Sequence, residues 1–197
     1  MLTFKNFNIA DWFSFYRIAA APFLLFLLWL HKQEIFTWML LISYSTDMID
    51  GYLARKFKMT SPRGSQLDSM GDQITFALGL IGLLIFEFDF IKANYILILI
   101  AFAPYLLQML IAFKKYGKAT AFHTYLAKLS AVFQAFFILF SLFISPNYYL
   151  FYFMIILGFI ETFEEIILIN MYDNWVADVK GIYWAFKDKR RLLEKKN

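Results

Sequence analysis

The 197-residue sequence contains no cysteine, which excludes disulfide bonds, cysteine-ligated zinc and iron–sulfur clusters within the chain. Charged residues are also scarce, at 17% of the chain, whereas 61% of the residues are hydrophobic and 25 are phenylalanine. A soluble domain of this length does not usually contain so many long apolar runs. The composition therefore predicts a polytopic membrane protein that forms a single domain over 1–197.

Six apolar stretches are each long enough, at about 20 residues, to cross the hydrocarbon core of a membrane. They cover residues 12–30, 35–55, 65–86, 90–113, 125–144 and 148–171. The first stretch is followed by polar residues rather than by a small-residue cleavage site, so we expect a transmembrane helix there and not a cleaved signal peptide. The sequence predicts an all-α fold with six transmembrane helices.

Positive charge sets the expected orientation. With a cytoplasmic N-terminus, the outer loops contain only Lys32 and Lys92 of the 19 Lys and Arg residues, and all the others lie on or near the inner side. This bias predicts a multi-pass protein of the cytoplasmic (inner) membrane with both termini in the cytoplasm.

Both ends of the chain are predicted to lie at the membrane surface. In 172–197, apolar residues recur at helical spacing beside basic ones, the pattern of an amphipathic helix on an anionic leaflet. The apolar positions are Trp175, Val179, Ile182, Tyr183 and Phe186. Residues 1–11 show a weaker form of the pattern, so we expect interfacial segments at both ends of a core that covers 12–171.

Four aspartates are concentrated where two of the apolar stretches meet water. Asp47 and Asp50 are three residues apart, and Asp68 and Asp72 are four apart, so each pair shares one face of its helix. The connection 56–63 is short, and it joins antiparallel helices at their cytoplasmic ends. We therefore expect the two pairs to face each other. Carboxylates near a bilayer are costly, and converging ones need a compensating cation.

Small residues and an arginine accompany these aspartates. Gly51 and Ala54 remove side-chain bulk beside the carboxylates, which suits close helix packing or a flat ligand. Arg55 is suited to hold phosphate oxygens, and Gly64 allows the chain to turn tightly out of the loop. One positive charge against four negative ones predicts one or two bound divalent ions, Mg²⁺ or Mn²⁺. A carboxylate metal site, an arginine and a slot are the parts of a phosphoryl-transfer site.

The spacing D-x2-D-G-x2-A-R-x8-G-x3-D-x3-D resembles the signature of the CDP-alcohol phosphatidyltransferases. Every fixed position is filled, by Asp47, Asp50, Gly51, Ala54, Arg55, Gly64, Asp68 and Asp72. The resemblance implies an integral-membrane enzyme that transfers a phosphatidyl group from CDP-diacylglycerol to an alcohol and releases CMP. It also implies a homodimer among membrane lipids, and no nucleic-acid partner is expected.

The resemblance also implies roles for single residues. Asp47, Asp50 and Asp68 would ligate the metal. Asp72 would contribute to that site and act as the base that deprotonates the acceptor hydroxyl. The other signature residues, with one from the loop, would bind the nucleotide and its diphosphate: Gly51, Ala54, Arg55, Gly64 and Ser61.

The first helix and the fifth contain further candidates. Relatives often have N-x2-T-x2-R in the first helix, and this chain has Asp11, Ser14 and Arg17 at those positions. Ser14 and Arg17 are candidate substrate-binding residues, whereas no substrate contact is assigned to Asp11. Lys128 either meets the acceptor or belongs to a polar stripe between helices.

The acceptor alcohol is predicted from the residues around Asp68. The stretch 67–76 resembles the phosphatidylserine-synthase branch, which predicts serine. The alternative is the same chemistry with glycerol 3-phosphate, inositol or inositol phosphate. A phosphorylated acceptor usually needs buried cations, and apart from Lys92 at the outer end the last three apolar stretches offer only Lys128, which favours an uncharged or zwitterionic acceptor.

Different classes of protein remain as alternatives. A cation or proton transporter also uses intramembrane carboxylates, but it predicts acids near the bilayer midplane and broken helices. A non-catalytic lipid-binding relative is disfavoured because no signature position is lost. Glu161, Glu164 and Glu165 in the sixth stretch predict a second site, a dimer contact or hydrogen-bonded structural acids.

Overall fold

A computed structural model describes residues 8–57 and 62–187. The six long helices are α1 (Ile9–Trp29), α2 (Gln33–Lys56), α3 (Pro62–Phe86), α4 (Phe88–Tyr116), α5 (Tyr125–Phe143) and α6 (Tyr148–Met171). A short helix follows at 182–187, and the described ranges contain no β-strand beyond one isolated bridge between Ala121 and Ala177. The all-α prediction is confirmed, and each predicted apolar stretch coincides with one helix.

Four helices, α1, α3, α4 and α5, are long and apolar enough to cross a membrane. Their outward faces expose large apolar side chains, such as Leu99 and Leu110 of α4. Apolar surface on this scale is rare on soluble monomers and is usual where lipid covers the protein. The chain is therefore a multi-pass membrane protein. Two helices are not among the four, α2 and α6, so six spans remain a prediction.

The start of α1 differs from the predicted one because a capping box extends the helix to Ile9. The Asn8 side chain accepts a hydrogen bond from the Asp11 backbone N–H at 2.8 Å, and the Asp11 carboxylate accepts one from the Asn8 N–H at 3.1 Å. These bonds satisfy two backbone donors that a helix N-terminus otherwise leaves unpaired. Asp11 thus has a structural role.

Two compact units divide the described residues. The first contains the described residues up to Ile91 together with Ile138–Pro146, and α1 packs against both α2 and α3 within it. Contact between α2 and α3 is close at Gly82, where an added Cβ would lie 2.5 Å from Cε1 of the buried Phe36 ring. The end of α5 joins this unit, because the Gln33 side-chain amide donates to the Leu142 carbonyl at 3.0 Å.

The second unit contains the described residues of Lys92–Phe137 and those from Asn147 onward, and its core lies where α4 and α6 end. Six buried residues form this core: Ala112, Phe122, Leu168, Ile169, Val179 and Ala185. Two of them belong to the segment after α6. That segment therefore packs on the protein.

The predicted amphipathic helix at 172–197 is wrong in its first part. Residues 172–181 are not helical, and the helix covers only 182–187. Asp178 and Gly181 have φ angles of 57° and 146°, which a right-handed helix does not allow. The Trp175 indole donates to the Ala119 carbonyl at 3.0 Å, and the Asp178 N–H donates to the Ala121 carbonyl at 3.1 Å. Tertiary contacts thus replace the helical spacing. Residues 1–7 and 188–197 of the predicted interfacial segments lie outside the described residues.

Candidate active site

Three of the predicted aspartates meet around one arginine in the first unit. The Arg17 guanidinium donates from Nη1 to Asp47 Oδ1 and to Asp72 Oδ1, both at 2.5 Å, and from Nη2 to Asp68 Oδ1 at 2.6 Å. Asp47 comes from α2, and the other two carboxylates come from successive turns of α3. The facing arrangement expected from the helical spacing is therefore present for these three side chains.

The guanidinium and the carboxylates differ in exposure. Arg17 is 1% exposed, whereas the side chains of Asp47, Asp68 and Asp72 are 41%, 42% and 49% exposed. Arg17 therefore lies behind the carboxylates, in the interface of α1 with α2 and α3. The carboxylates present their remaining oxygens on the accessible side.

A glycine allows the close approach of α1 and α3 at this point. A Cβ on Gly71 would lie 3.0 Å from Arg17 Nε and 3.4 Å from the backbone oxygen of Ser14. Most side chains at this position would therefore press on the guanidinium. Ser14 is itself buried one turn before Arg17.

The donor set fits a divalent cation. One ligand oxygen from each of Asp47, Asp68 and Asp72 lies within 4.8 Å of the others. Three carboxylates against one guanidinium leave a net negative site, and hard oxygen donors suit Mg²⁺ or Mn²⁺.

Other predicted site residues lie outside what the structure describes. The side chains of Asp50, Gly51, Ala54 and Arg55 are not described, and Ser61 falls in the gap between α2 and α3. Their predicted roles stay predictions.

Gly64 and Lys128 both lie within the described residues. Because α3 begins at Pro62, Gly64 lies in the first turn of this helix, at its start as expected. Lys128 is an exposed residue of α5 in the second unit. Their predicted substrate contacts stay predictions.

The pairing of Arg17 with the aspartates is the feature that sequence reasoning missed. Charge balance within 47–72 considered only Arg55, although Arg17 lies in the middle of an apolar helix. An arginine in such a helix needs a carboxylate or carbonyl partner. The available signal was therefore that Arg17 needs a partner and that the acidic segment offers one.

The three glutamates of α6 belong to the second unit. Glu165 Oε2 accepts from Gln108 Nε2 at 2.6 Å and from Thr120 Oγ1 at 2.8 Å. Glu164 Oε1 accepts from the backbone N–H of Ile182 at 3.2 Å. For Glu164 and Glu165, the predicted alternative of hydrogen-bonded structural acids fits these contacts.

The apolar helices define a membrane protein, and three carboxylates around its buried Arg17 form a cluster that could hold a metal ion. The family model of the CDP-alcohol phosphatidyltransferases matches residues 7–163. The chain belongs to this family, and the resemblance predicted from the signature is confirmed.

Individual relatives match a shorter part of the chain. A CDP-diacylglycerol–glycerol-3-phosphate 3-phosphatidyltransferase of Haemophilus influenzae is 33% identical over 79 residues, which cover 39% of this chain and 43% of that protein. A protein of the same name from Yersinia enterocolitica is 30% identical over 81 residues, 38% of this chain and 42% of the relative. The match therefore spans about two fifths of the length of these relatives. Among solved structures, none matches the chain significantly.

Proposed function

We propose that this protein transfers a phosphatidyl group from CDP-diacylglycerol to an alcohol and releases CMP, at the cytoplasmic face of the inner membrane. The observation that carries the proposal is the meeting of three carboxylates on one guanidinium in a chain of this family. These carboxylates occupy three of the four aspartate positions in the family signature. A structural ion pair with Arg17 would need one carboxylate. The two additional carboxylates suit a site that binds cations and a diphosphate.

Asp47, Asp68 and Asp72 would hold Mg²⁺ or Mn²⁺, with Asp50 as the fourth predicted ligand. A divalent ion bound there supplies neutralisation of the diphosphate charge and polarises the reacting phosphoryl group. Arg55 would bind a diphosphate oxygen, and Gly51 and Ala54 would leave room for the cytidine. Ser61 and Gly64 remain candidates for the nucleotide, and Ser14, Arg17 and Lys128 for substrate.

Asp72 would act as the general base. Its carboxylate would take the proton of the acceptor hydroxyl as the hydroxyl oxygen bonds to the phosphorus that carries diacylglycerol. The bond from that phosphorus to the oxygen of the cytidylate then breaks, and CMP leaves with the electron pair. The lipid keeps one phosphodiester, so the atoms and charges balance.

The proposed acceptor is glycerol 3-phosphate. The curated relatives bear that acceptor in their name, which favours it over the serine expected from the residues around Asp68. Serine remains a separate arm of the test, because the stretch 67–76 resembles the serine-using branch.

The test is CMP release by the full chain in detergent, with CDP-diacylglycerol, Mg²⁺ and one acceptor at a time. The acceptors are glycerol 3-phosphate, serine, inositol, inositol phosphate and none. Asp72→Asn is expected to lower the rate by about a thousandfold, within the usual range for loss of a general base. Asp89→Asn is the matched control, because Asp89 is an exposed acid at the start of α4, and it should leave the rate unchanged.

Each outcome assigns the activity or removes it. Release with glycerol 3-phosphate alone supports the whole proposal, and release with serine alone corrects the acceptor. No release with any acceptor, from folded protein that fails to bind the donor, rejects the transferase. Cation flux into proteoliposomes under those conditions would favour the transporter alternative.

A further inference from the structure

Arg17 binds the carboxylates that the proposed metal also needs. Each of Asp47, Asp68 and Asp72 gives an Oδ1 atom to its guanidinium at 2.5–2.6 Å. A metal that draws on the same three side chains adds a second cation beside the guanidinium. The two cations repel each other and share a limited set of oxygens.

Arg17 cannot respond to a metal by losing its proton, because the guanidinium stays charged in proteins. It is buried between helices, so it cannot exchange its carboxylates for water without a cost either. The aspartates in turn need a cation, because three converging carboxylates repel one another unless a cation lies among them. The cluster is therefore stable with the arginine, with a metal, or with both at reduced contact.

We propose that Arg17 is a built-in counter-ion that holds the aspartate cluster together without metal and competes with the divalent ion for the carboxylates. The inference rests on the metal site of the proposed function. Metal binding is then an exchange in which the guanidinium gives up part of its contacts. N–H donors freed in this way become available to phosphate oxygens, which is compatible with the substrate-binding role predicted for Arg17.

This exchange has two consequences of opposite sign. Removing the positive charge destabilises the protein without metal, because three carboxylates lose the cation that they share. The same change makes the site more negative and removes the competitor, so a divalent ion binds more tightly. A purely structural arginine gives only the first effect, and the loss of stability is then the same with and without metal.

The test uses the full chain in detergent and three variants. Arg17→Gln removes the charge and keeps a hydrogen-bonding side chain, and Arg17→Lys keeps the charge without the planar fork. Lys92→Gln is the matched control for loss of one positive charge, because Lys92 is exposed on α4. Two quantities are measured: Mn²⁺ affinity, from the paramagnetic resonance signal of unbound Mn²⁺, and the thermal unfolding midpoint in EDTA and in Mn²⁺.

We expect Arg17→Gln to bind Mn²⁺ at least about tenfold more tightly than the unaltered chain does. This is the effect expected when one unit charge is removed from beside a partly exposed metal site. Its unfolding midpoint should fall in EDTA and recover in Mn²⁺. Arg17→Lys should stay within about threefold of the unaltered affinity, since the charge persists. Lys92→Gln should change neither quantity.

Weaker Mn²⁺ binding in both Arg17 variants would overturn the proposal, because the arginine would then support the metal. Failure of Arg17→Gln to fold even with Mn²⁺ would also overturn it, since the ion could not take the place of the charge. Absence of Mn²⁺ binding in the unaltered chain is a different result, because it removes the metal site of the proposed function.

Discussion

The carboxylates of α3 and those of α6 have different kinds of partner. Asp68 and Asp72 share a buried guanidinium with Asp47 of α2. Glu165 instead receives hydrogen bonds from an amide and a hydroxyl, and Glu164 receives one from a backbone N–H. The first cluster is held by a charge, and the second by neutral donors of its own unit.

The difference indicates which acids are available for chemistry. The aspartates are about half exposed, so their remaining oxygens are accessible to another cation. Glu165 Oε2 accepts the hydrogen bonds that connect α6 to α4 and to the loop between α4 and α5. The aspartates combine a shared guanidinium with access to solvent, whereas Glu164 has an Oε2 atom that is buried without a hydrogen-bond partner among the described residues.

The largest expected effect concerns metal affinity, which tests the contrast between the aspartates and the glutamates. Asp68→Asn removes one of three clustered carboxylates and should weaken Mn²⁺ binding by about a hundredfold, the upper end of what loss of even an indirect ligand contact costs. Glu165→Gln removes a negative charge of α6 and should leave Mn²⁺ affinity within about twofold, because Glu165 Oε2 accepts hydrogen bonds from Gln108 and Thr120. Titration of Mn²⁺ into both variants checks the prediction. Equal loss in the two variants would show that the glutamates also contribute to the metal site.

The second-largest expected effect concerns the stability of the second unit. Gln108→Leu removes one of the two donors to Glu165 Oε2 and should lower the free energy of unfolding by about 1.5–3 kcal/mol, the range for hydrogen bonds to charged groups. Gln134→Leu is the matched control, because Gln134 donates to the neutral Ser130 hydroxyl at 3.1 Å. Its cost should be about 0.5–1.5 kcal/mol. Unfolding of both variants in detergent measures the difference, and Mn²⁺ affinity should not change in either.

Much of the first unit could be predicted from the sequence because its main signals are local. Apolar runs of sufficient length give the helices, and spacings of three and four give the shared faces of the aspartates. A short connection between α2 and α3 then brings Asp47 to the pair on α3. The partner of these acids was not predicted, because Arg17 lies 30 residues before Asp47 and 55 before Asp72. That contact depends on the packing of α1, for which no local pattern exists.

The end of the second unit was predicted wrongly for a related reason. Trp175, Val179 and Ile182 have helical spacing, but the backbone at Asp178 and Gly181 is left-handed. The Trp175 indole bond to Ala119 and the burial of Val179 stabilise an extended path instead. Tertiary contacts with residues more than 50 positions away outweigh a periodic pattern there.

The third effect compares helix packing in the two units through matched glycines. Gly82→Ala places a Cβ 2.5 Å from the Phe36 ring, so the substitution should lower the free energy of unfolding by about 1–2 kcal/mol. Gly158→Ala meets nothing within 4 Å in α6 and should raise it by up to about 1 kcal/mol, since alanine is the better helix former. Thermal unfolding of the two variants gives opposite shifts. A loss of stability in Gly158→Ala would show that its face of α6 is covered by a close partner.

The smallest expected effect concerns the packing of Arg17 against α3. Gly71→Ala brings a Cβ to 3.0 Å from Arg17 Nε, closer than most contacts, so the guanidinium must move by a few tenths of an ångström. Three carboxylates resist that movement, and the gain in helix propensity offsets part of the cost. We expect a net loss of about 0.5–1 kcal/mol in EDTA. If a metal takes over part of the carboxylate contacts, Arg17 becomes freer to move and the loss should shrink in Mn²⁺. Gly158→Ala should show no such dependence on metal. An equal loss in EDTA and in Mn²⁺ would mean that Arg17 keeps its position when the metal binds.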